Sequence, residues 1–204
     1  MKKSPVFKET AQYYLRQLER LPLEALASRL GLEEVRDGKG VIRILGRLFH
    51  LEPGRFTGPD GLPAPFEALV VVSRYLLGAP QTAPADEAWT AYRDFPDAAP
   101  LVSYFRSNAE APVAKTFAGR IDELAARCAR LGGQPLDRGL PYDLALKIHV
   151  LPRVPIFLLF NDADEEFGAE CRLLFERRAA AYLDMESTAI LGVMLSAALT
   201  AARS

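Results

Sequence analysis

The stretch GVIRILGRLFHLEPG, residues 40–54, alternates apolar with polar or small side chains on both sides of a central glycine. Alternation with a period of two is typical of a half-buried β-strand. A glycine followed by one further residue, here Gly46 and Arg47, can form the two-residue turn of a β-hairpin. The pattern therefore predicts an antiparallel hairpin with strands at about residues 40–45 and 48–52.

A turn at this position also determines which residues face each other. Opposite residues in an antiparallel pair share one face of the sheet. The predicted pairs are Ile44 with Phe49, Ile42 with Leu51, and Arg43 with His50. The first two pairs are apolar, so we expect them to be buried, whereas the third pair belongs to a more exposed face.

The rest of the chain mixes helical spacing with frequent breakers, since it holds 15 prolines and 14 glycines. The segment VPIFLLF, residues 154–160, is apolar on both faces and predicts a central or covered strand. Helices are predicted at residues 6–30 with a break at Pro22, at 66–77, 100–108, 112–131 and 142–150, and through the last forty residues. The pattern favours a single α+β domain over residues 1–204, with helices packed on a small, mainly antiparallel sheet.

Composition narrows the classes of protein to consider. The net charge of −1 gives no electrostatic basis for binding nucleic acid or an anionic membrane. No apolar run approaches the roughly 18 residues of a membrane span, and the first residues lack the apolar region of a signal peptide. Cys128 and Cys171 fall in helical patterns and are expected to be reduced and unpaired. We therefore expect a cytoplasmic protein that binds neither nucleic acid nor membrane.

Four carboxylates fall within five positions of FNDADEEF, residues 160–167. Asp162, Asp164 and Glu166 match the first, third and fifth ligands of a calcium-binding loop, but its sixth and twelfth positions hold Phe and Leu instead of Gly and Glu. A metal site at these three acids is therefore the alternative to a simpler interpretation. The pattern favours a helix start, in which Asp162 is the N-cap and Glu165 completes a capping box.

Glu186 stands out if the last helix is continuous. At 100° per residue it falls at the centre of an apolar stripe, where a carboxylate costs several kcal/mol unless it is paired or protonated. We expect Glu186 to be buried against a basic side chain, with Arg106 as the first choice and Lys115 or Arg93 behind it. The alternative is an acid that faces a ligand, because perturbed carboxylates gather in functional sites.

The middle of the chain is rich in aromatic residues, from Trp89 to Phe105. Core packing explains most of such a stretch, and a platform for a ligand is the alternative. Three cations in or just after it could bind an anionic group, although solvated surface charge is the default interpretation. The candidate ligand-binding residues are Glu186, Arg106, Arg93, Lys115, Tyr104 and Trp89.

The order of motifs resembles a family of unknown function found mainly in anaerobic bacteria and archaea. The resemblance covers nearly the whole chain: the hairpin at 41–53, the helix ALVVVSRYLLGA at 68–79, the block at 94–119 and the tail at 151–187. Some members of that family carry an additional cysteine-rich iron–sulfur domain. This chain has two cysteines and cannot hold a four-cysteine cluster alone. The resemblance implies an anaerobic setting but no activity.

Two classes of function stay open. No G-x-S-x-G, H-E-x-x-H, Walker or G-x-G-x-x-G motif is present, and this favours a non-catalytic binding or accessory protein with a small-molecule ligand or a redox-protein partner. The alternative is a small carboxylate-dependent enzyme that uses Glu186 or the cluster from Asp162 to Glu166. No cofactor is predicted, and the sequence does not predict an oligomeric state.

Overall fold

The computed structural model describes residues 5–136 and 139–202 of the 204-residue chain. Its α-helices are α1 (Pro5–Glu19), α2 (Leu23–Leu30), α3 (Phe66–Leu77), α4 (Val102–Phe105), α5 (Ala111–Phe117), α6 (Ile121–Arg130) and α7 (Met185–Thr200). Its strands are β1 (Glu33–Arg36), β2 (Lys39–Ile44), β3 (Arg47–Glu52), β4 (Arg55–Thr57), β5 (Trp89–Ala91), β6 (Gln134–Pro135), β7 (Leu144–Leu151), β8 (Val154–Asn161) and β9 (Glu170–Glu176).

These strands form two antiparallel sheets, in the orders β1-β2-β3-β4 and β5-β9-β8-β7-β6. Buried side chains from Leu18 to Leu199 form one core that the helices and both sheets share. The predicted α+β class is therefore confirmed, with the strands in two sheets rather than one. Within the described residues no helix combines the length and the apolar character needed to cross a bilayer.

The predicted hairpin is present as β2 and β3, with the predicted faces but a different register. Ile42, Ile44, Phe49 and Leu51 are buried, while Arg43 and His50 are exposed. Ile42 pairs with Phe49 rather than Leu51, so the predicted pairing was wrong by two residues. A shift of two keeps every side chain on its face, which is why the burial was still correct.

The register differs because the turn is made by Leu45 and Gly46, which both have positive φ, at 50° and 75°. Two positive φ values define the type I′ turn preferred by two-residue hairpins. Leu45 is held there because its side chain is buried and its N–H donates to the carbonyl of Val150 at 3.1 Å. A Cβ at Gly46 would lie 3.3 Å from the Leu131 carbonyl, so the turn also needs the missing side chain.

The predicted strand at 154–160 is confirmed as β8, the central strand of the second sheet, and all but its last residue are buried. Its two neighbours, β7 and β9, lie where helices were predicted, at 142–150 and in the last forty residues. The helix predicted at 142–150 is a strand instead, and the helix predicted through the last forty residues is confirmed only for α7, at Met185–Thr200. Buried and less buried residues alternate through most of each strand, which is the period of a strand with one covered face.

One helical stretch runs from Ala99 to Phe117, where two helices had been predicted. It includes a π-helical turn at Arg106–Glu110 between α4 and α5. The cause lies in Pro112, which has no N–H to donate to the carbonyl four residues earlier and whose ring crowds that carbonyl. The backbone then turns at Ala118 and Gly119, which has a φ of 69°, so the predicted helix at 112–131 is split into α5 and α6.

Both cysteines are unpaired and buried, as predicted, although Cys171 lies on β9 and not on a helix. Burial raises the pKa of the Cys128 thiol to about 12 and that of Cys171 well above its ordinary value. A thiol needs its thiolate form to react. We therefore regard both cysteines as packing groups and not as nucleophiles.

Candidate functional site

A cleft of about 500 Å³ lies between the π-containing helical stretch and β9. Its walls come from three segments of the chain, which are residues 91–93, 102–118 and 169–174. On the helical side, Ala111, Ala114 and Ala118 line it. The first two of these lie on one helix face, and each offers only a methyl group, so the helix cannot fill the space beside β9. The volume falls in the range of small-molecule sites, about 300–1,000 Å³.

The cleft brings together three of the cations predicted from the sequence, Arg93, Arg106 and Lys115, and adds Arg172. Arg172 is paired with Glu170 at 2.6 Å. Arg93 lies 3.7 Å from Asp94, and both side chains are largely exposed, so this pair is weak. For Arg106 and Lys115 the described residues provide no ion pair within 4.0 Å. Two cations of the cleft therefore keep their charge available for a ligand.

Glu110, the last residue of the π-turn, links the two walls of the cleft. Its Oε1 accepts a hydrogen bond from the N–H of Leu173 on β9 at 3.0 Å. Partial burial raises the pKa of Glu110 above its ordinary value, although the Leu173 N–H and the charges of Arg172 and Arg106 act to lower it. The site therefore contains one carboxyl group whose charge is disfavoured by its surroundings.

The edge of β9 is open where it passes the cleft. Its neighbour β5 ends at Ala91, opposite Leu174, and the chain then turns into a short 3₁₀ helix at Tyr92–Asp94. Unpaired N–H and C=O groups at a strand edge need partners. The Glu110 carboxylate satisfies the N–H of Leu173, and no described strand lies beside Cys171 on this side.

Aromatic side chains form the floor of the cleft. The rings of Tyr92 and Phe105 stack with centroids 4.4 Å apart, and Phe105 lies 5.9 Å from the ring of Phe175. The Tyr92 hydroxyl donates to the carbonyl of Met185 at 2.8 Å, and burial raises its pKa to about 12. Tyr92 is therefore a packing and anchoring residue and not an acid or base at neutral pH.

Glu186 does not lie where it was predicted. The last helix begins at Met185 with Asp184 as its N-cap, whose Oδ1 accepts from the Ser187 N–H at 2.7 Å. Glu186 is consequently an exposed residue of the first turn, where a carboxylate suits the helix dipole. The predicted burial and pairing with Arg106 were wrong, because a strand and a cap interrupt the continuous helix on which they depended.

The two aromatic candidates lie outside the cleft. Trp89 begins β5, packs on Phe157 with ring centroids 5.2 Å apart and lies under the Lys147 ammonium. Tyr104 is an exposed residue of α4. Neither residue lines the cleft, so only the basic candidates of the aromatic-rich stretch converge on one site.

The four carboxylates between Asp162 and Glu166 lie in a loop between β8 and β9 and not at the start of a helix. The predicted capping box at Asp162 was therefore wrong. The Asp162 carboxylate accepts the N–H groups of Gly119 and Ala163, at 2.6 and 2.8 Å, and ties this loop to the α5–α6 turn. Asp164 accepts two N–H groups of its own loop, which lowers its pKa. Within the described residues no three or more His, Cys, Asp or Glu side chains lie together in a group that could hold a metal ion. Asp162, Asp164 and Glu166 therefore do not form such a group.

Sequence reasoning missed Glu110, Glu170 and Arg172 as members of the site. The proline two residues after Glu110 was the available indication, because a proline inside a helical pattern marks a π-turn or kink and π-turns are frequent at functional sites. No such indication existed for Arg172, since its position depends on β9 being a strand. Arg172 comes to lie beside the cleft only through the tertiary packing of β9 against the helical stretch.

Glu110→Gln is expected to lose less stability than wild type as the pH rises. The folded-state pKa of Glu110 lies above its ordinary value of 4.5, so its contribution to stability is present at low pH and lost as the pH rises from 4.5 through the folded pKa. Glutamine keeps an oxygen for the Leu173 N–H but has no charge to lose. Urea denaturation between about pH 4 and 8 should show the variant gaining relative to wild type. If the difference in the free energy of unfolding between the variant and wild type does not change with pH, the pKa of Glu110 is not raised in the folded protein.

Comparison with known proteins adds the family but no activity. No curated protein and no solved structure matches the chain. The family described as a domain of unknown function, DUF3786, matches residues 22–198, a span that contains the cleft and every residue that lines it. The chain therefore belongs to the DUF3786 family.

Proposed function

We propose that this protein binds a small anionic molecule, one that carries a carboxylate or a phosphate, in the cleft beside β9. The observation that carries the proposal is the pair Arg106 and Lys115, which line the cleft without an ion-pair partner among the described residues. In a chain whose net charge is −1, four cations against two acids at one cleft form a local positive field.

The chemistry of the lining favours binding over catalysis. Cys171 is buried and Tyr92 is engaged by a carbonyl, and both histidines lie outside the cleft. Arginine suits this role because its planar guanidinium can bind both oxygens of a carboxylate or phosphate. The proposal therefore assigns Arg106 and Lys115 to ligand binding, and Glu110 to the architecture of the cleft.

A carboxylate-dependent enzyme is the second candidate, and one observation favours it. Glu110 has a raised pKa and lies in the cleft, which is the environment of a general acid. The carboxylates first considered for this role, Glu186 and the cluster from Asp162 to Glu166, lie outside. If wild type converts the bound ligand, and Glu110→Gln still binds that ligand but no longer converts it, the protein is an enzyme. If wild type binds the ligand without converting it, and Glu110→Gln binds it equally well, the protein is a binding protein.

We place this binding in the cytoplasm of an anaerobic organism, where a redox protein would be a suitable partner for an accessory protein. The support for this setting is the resemblance of the chain's motifs to a family from anaerobes and the two thiols left unpaired in the core. Native mass spectrometry of anaerobically purified protein would reveal a ligand that stays bound through purification.

Arg106→Gln is expected to weaken the binding of succinate and of inorganic phosphate by about 10- to 100-fold, because a hydrogen bond to a charged group contributes about 1.5–3 kcal/mol. Lys115→Gln should act in the same direction. Isothermal titration calorimetry at low ionic strength measures both, since screening by salt weakens such contacts.

The matched control is Arg130→Gln, which removes the same charge from an exposed residue of α6 outside the cleft. It should leave both affinities within about twofold of wild type, because an exposed charge that does not touch the ligand acts on it only through water, whose high dielectric constant keeps the interaction small. Equal losses in Arg106→Gln and Arg130→Gln would mean that only the net charge matters, and the proposed site would be wrong.

A further inference from the structure

The open edge of β9 offers more to a ligand than positive charge. The N–H of Leu173 points away from β8 and is bonded to Glu110. Residues two apart on a strand direct their N–H and C=O groups to the same side. The backbone N–H and C=O of Cys171 therefore point to the same open side, into the cleft that this residue lines.

The same alternation of backbone hydrogen-bonding groups continues toward the C-terminal end of β9, where the partners on this side are known. Phe175 pairs with Thr90 of β5, and the N–H of Arg177 donates to the carbonyl of Ala88 at 2.9 Å. These odd-numbered residues thus bond to β5 on the side where Cys171 has no neighbouring strand among the described residues. Cys171 as a whole is 4% exposed, so a ligand reaches this residue only through the small surface with which it lines the cleft.

Resting on the proposed anion site, we infer that the natural occupant of the cleft is an extended acidic peptide segment that adds to the open edge of β9 beside Cys171. Such a segment would continue the line of β5 and satisfy the free peptide groups, which is the β-augmentation mode of peptide recognition. In an added strand, alternate side chains point to one face, and carboxylates at those positions can reach Arg106 and Lys115.

The charges at the cleft are compatible with an acidic occupant. Glu170 is neutralised by Arg172 at 2.6 Å, and Glu110 is engaged by the Leu173 N–H. Arg106 and Lys115 are exposed residues of the opposite wall. A basic peptide would meet these cations with its own charge and be repelled, so the sign of the peptide is part of the inference.

The test uses the full-length protein and three probes: the peptide acetyl-Glu-Ala-Glu-amide, its analogue N-methylated at the alanine nitrogen, and succinate. The methyl group removes one main-chain donor and leaves the charge unchanged. We expect the acidic peptide to bind at least about tenfold more tightly than both the methylated analogue and succinate. Hydrogen exchange followed by NMR should show the Cys171 amide slowed at least about tenfold by the peptide.

Several results would overturn this inference. Equal affinity for the methylated and unmethylated peptides, or an unchanged exchange rate at Cys171, would exclude strand addition. Binding of succinate as tight as that of the peptide, with loss in Arg106→Gln, would identify a small-anion site and leave the proposed function in place. Failure of all three probes to bind would contradict the inference and the proposed function together. The lysine analogue acetyl-Lys-Ala-Lys-amide should not bind, and its binding would contradict the assigned charge complementarity.

Discussion

Phe105→Ala should lower the free energy of unfolding by about 3–5 kcal/mol, the usual cost of truncating a buried phenylalanine. Phe105 is 2% exposed and stacks on Tyr92 with centroids 4.4 Å apart. It is also fitted against α7, because a Cβ added at Gly192 would lie 2.4 Å from the Phe105 ring. Chemical denaturation of wild type and variant measures the loss directly.

A size exchange with Gly192 separates this packing from a general loss of stability. Gly192→Leu alone should destabilise by about 1–3 kcal/mol or more, since it forces the ring to move. In the Phe105→Ala background the new leucine has the vacated volume available, so the double variant should recover part of the loss. Simple addition of the two single effects would show that Gly192 and Phe105 are not coupled, because contacting residues are the ones that deviate from additivity.

Glu176→Ala should cost about 3 kcal/mol, at the lower end of the range for breaking a buried ion pair. Its carboxylate is almost fully buried and lies 3.4 Å from the Lys147 ammonium and 2.6 Å from the Arg178 guanidinium. The cost stays at the lower end because both cations are partly exposed and Arg178 keeps a second partner, Glu87, at 2.7 Å. Urea denaturation at neutral pH gives the value.

The comparison variant is Glu52→Ala, which breaks the exposed pair with Lys39 on the first sheet. An exposed pair contributes about 0–1 kcal/mol, so this variant should lose far less. Equal losses in the two variants would show that the ion pairs of Glu176 contribute no more than an exposed pair, despite the burial of its carboxylate.

The sequence predicted the buried faces of the first hairpin because period-two alternation is a local property. It could not predict the register, since Leu45-Gly46 and Gly46-Arg47 turns put the same side chains in the core. Tertiary contacts of the turn decide between them, through the buried Leu45 side chain and the Val150 carbonyl that receives its N–H.

The strand β9 was mistaken for a helix for a similar reason. Its apolar residues Cys171, Leu173, Leu174 and Phe175 satisfy the spacing of a helix as well as that of a strand, and four acids precede them. Periodicity cannot separate the two for short apolar runs. The neighbouring strand β8 decides the matter, because its hydrogen-bonding groups need a partner on each side.

The candidate site was predictable only in part. One stretch of the sequence contains Arg93, Arg106 and Lys115, so their proximity in the chain was enough to propose them together as candidates for binding an anion. Glu110 and Arg172 joined the site through the approach of the π-turn to β9, and Glu186 was assigned to it on the basis of a helix that Asp184 interrupts. The local sequence pattern therefore indicated three of the cations that line the cleft. Long-range packing determined that Glu110, and not Glu186, lines the cleft with them.

Anion binding at the cleft is tested most directly by NMR of the arginine side chains during a titration with succinate. We expect saturable shifts of the Arg106 Nε–Hε resonance and of backbone amides at 169–174, with Arg130 unchanged as an internal reference. Shifts that do not saturate, or that fall on Arg130 as strongly as on Arg106, would contradict a ligand site in this cleft.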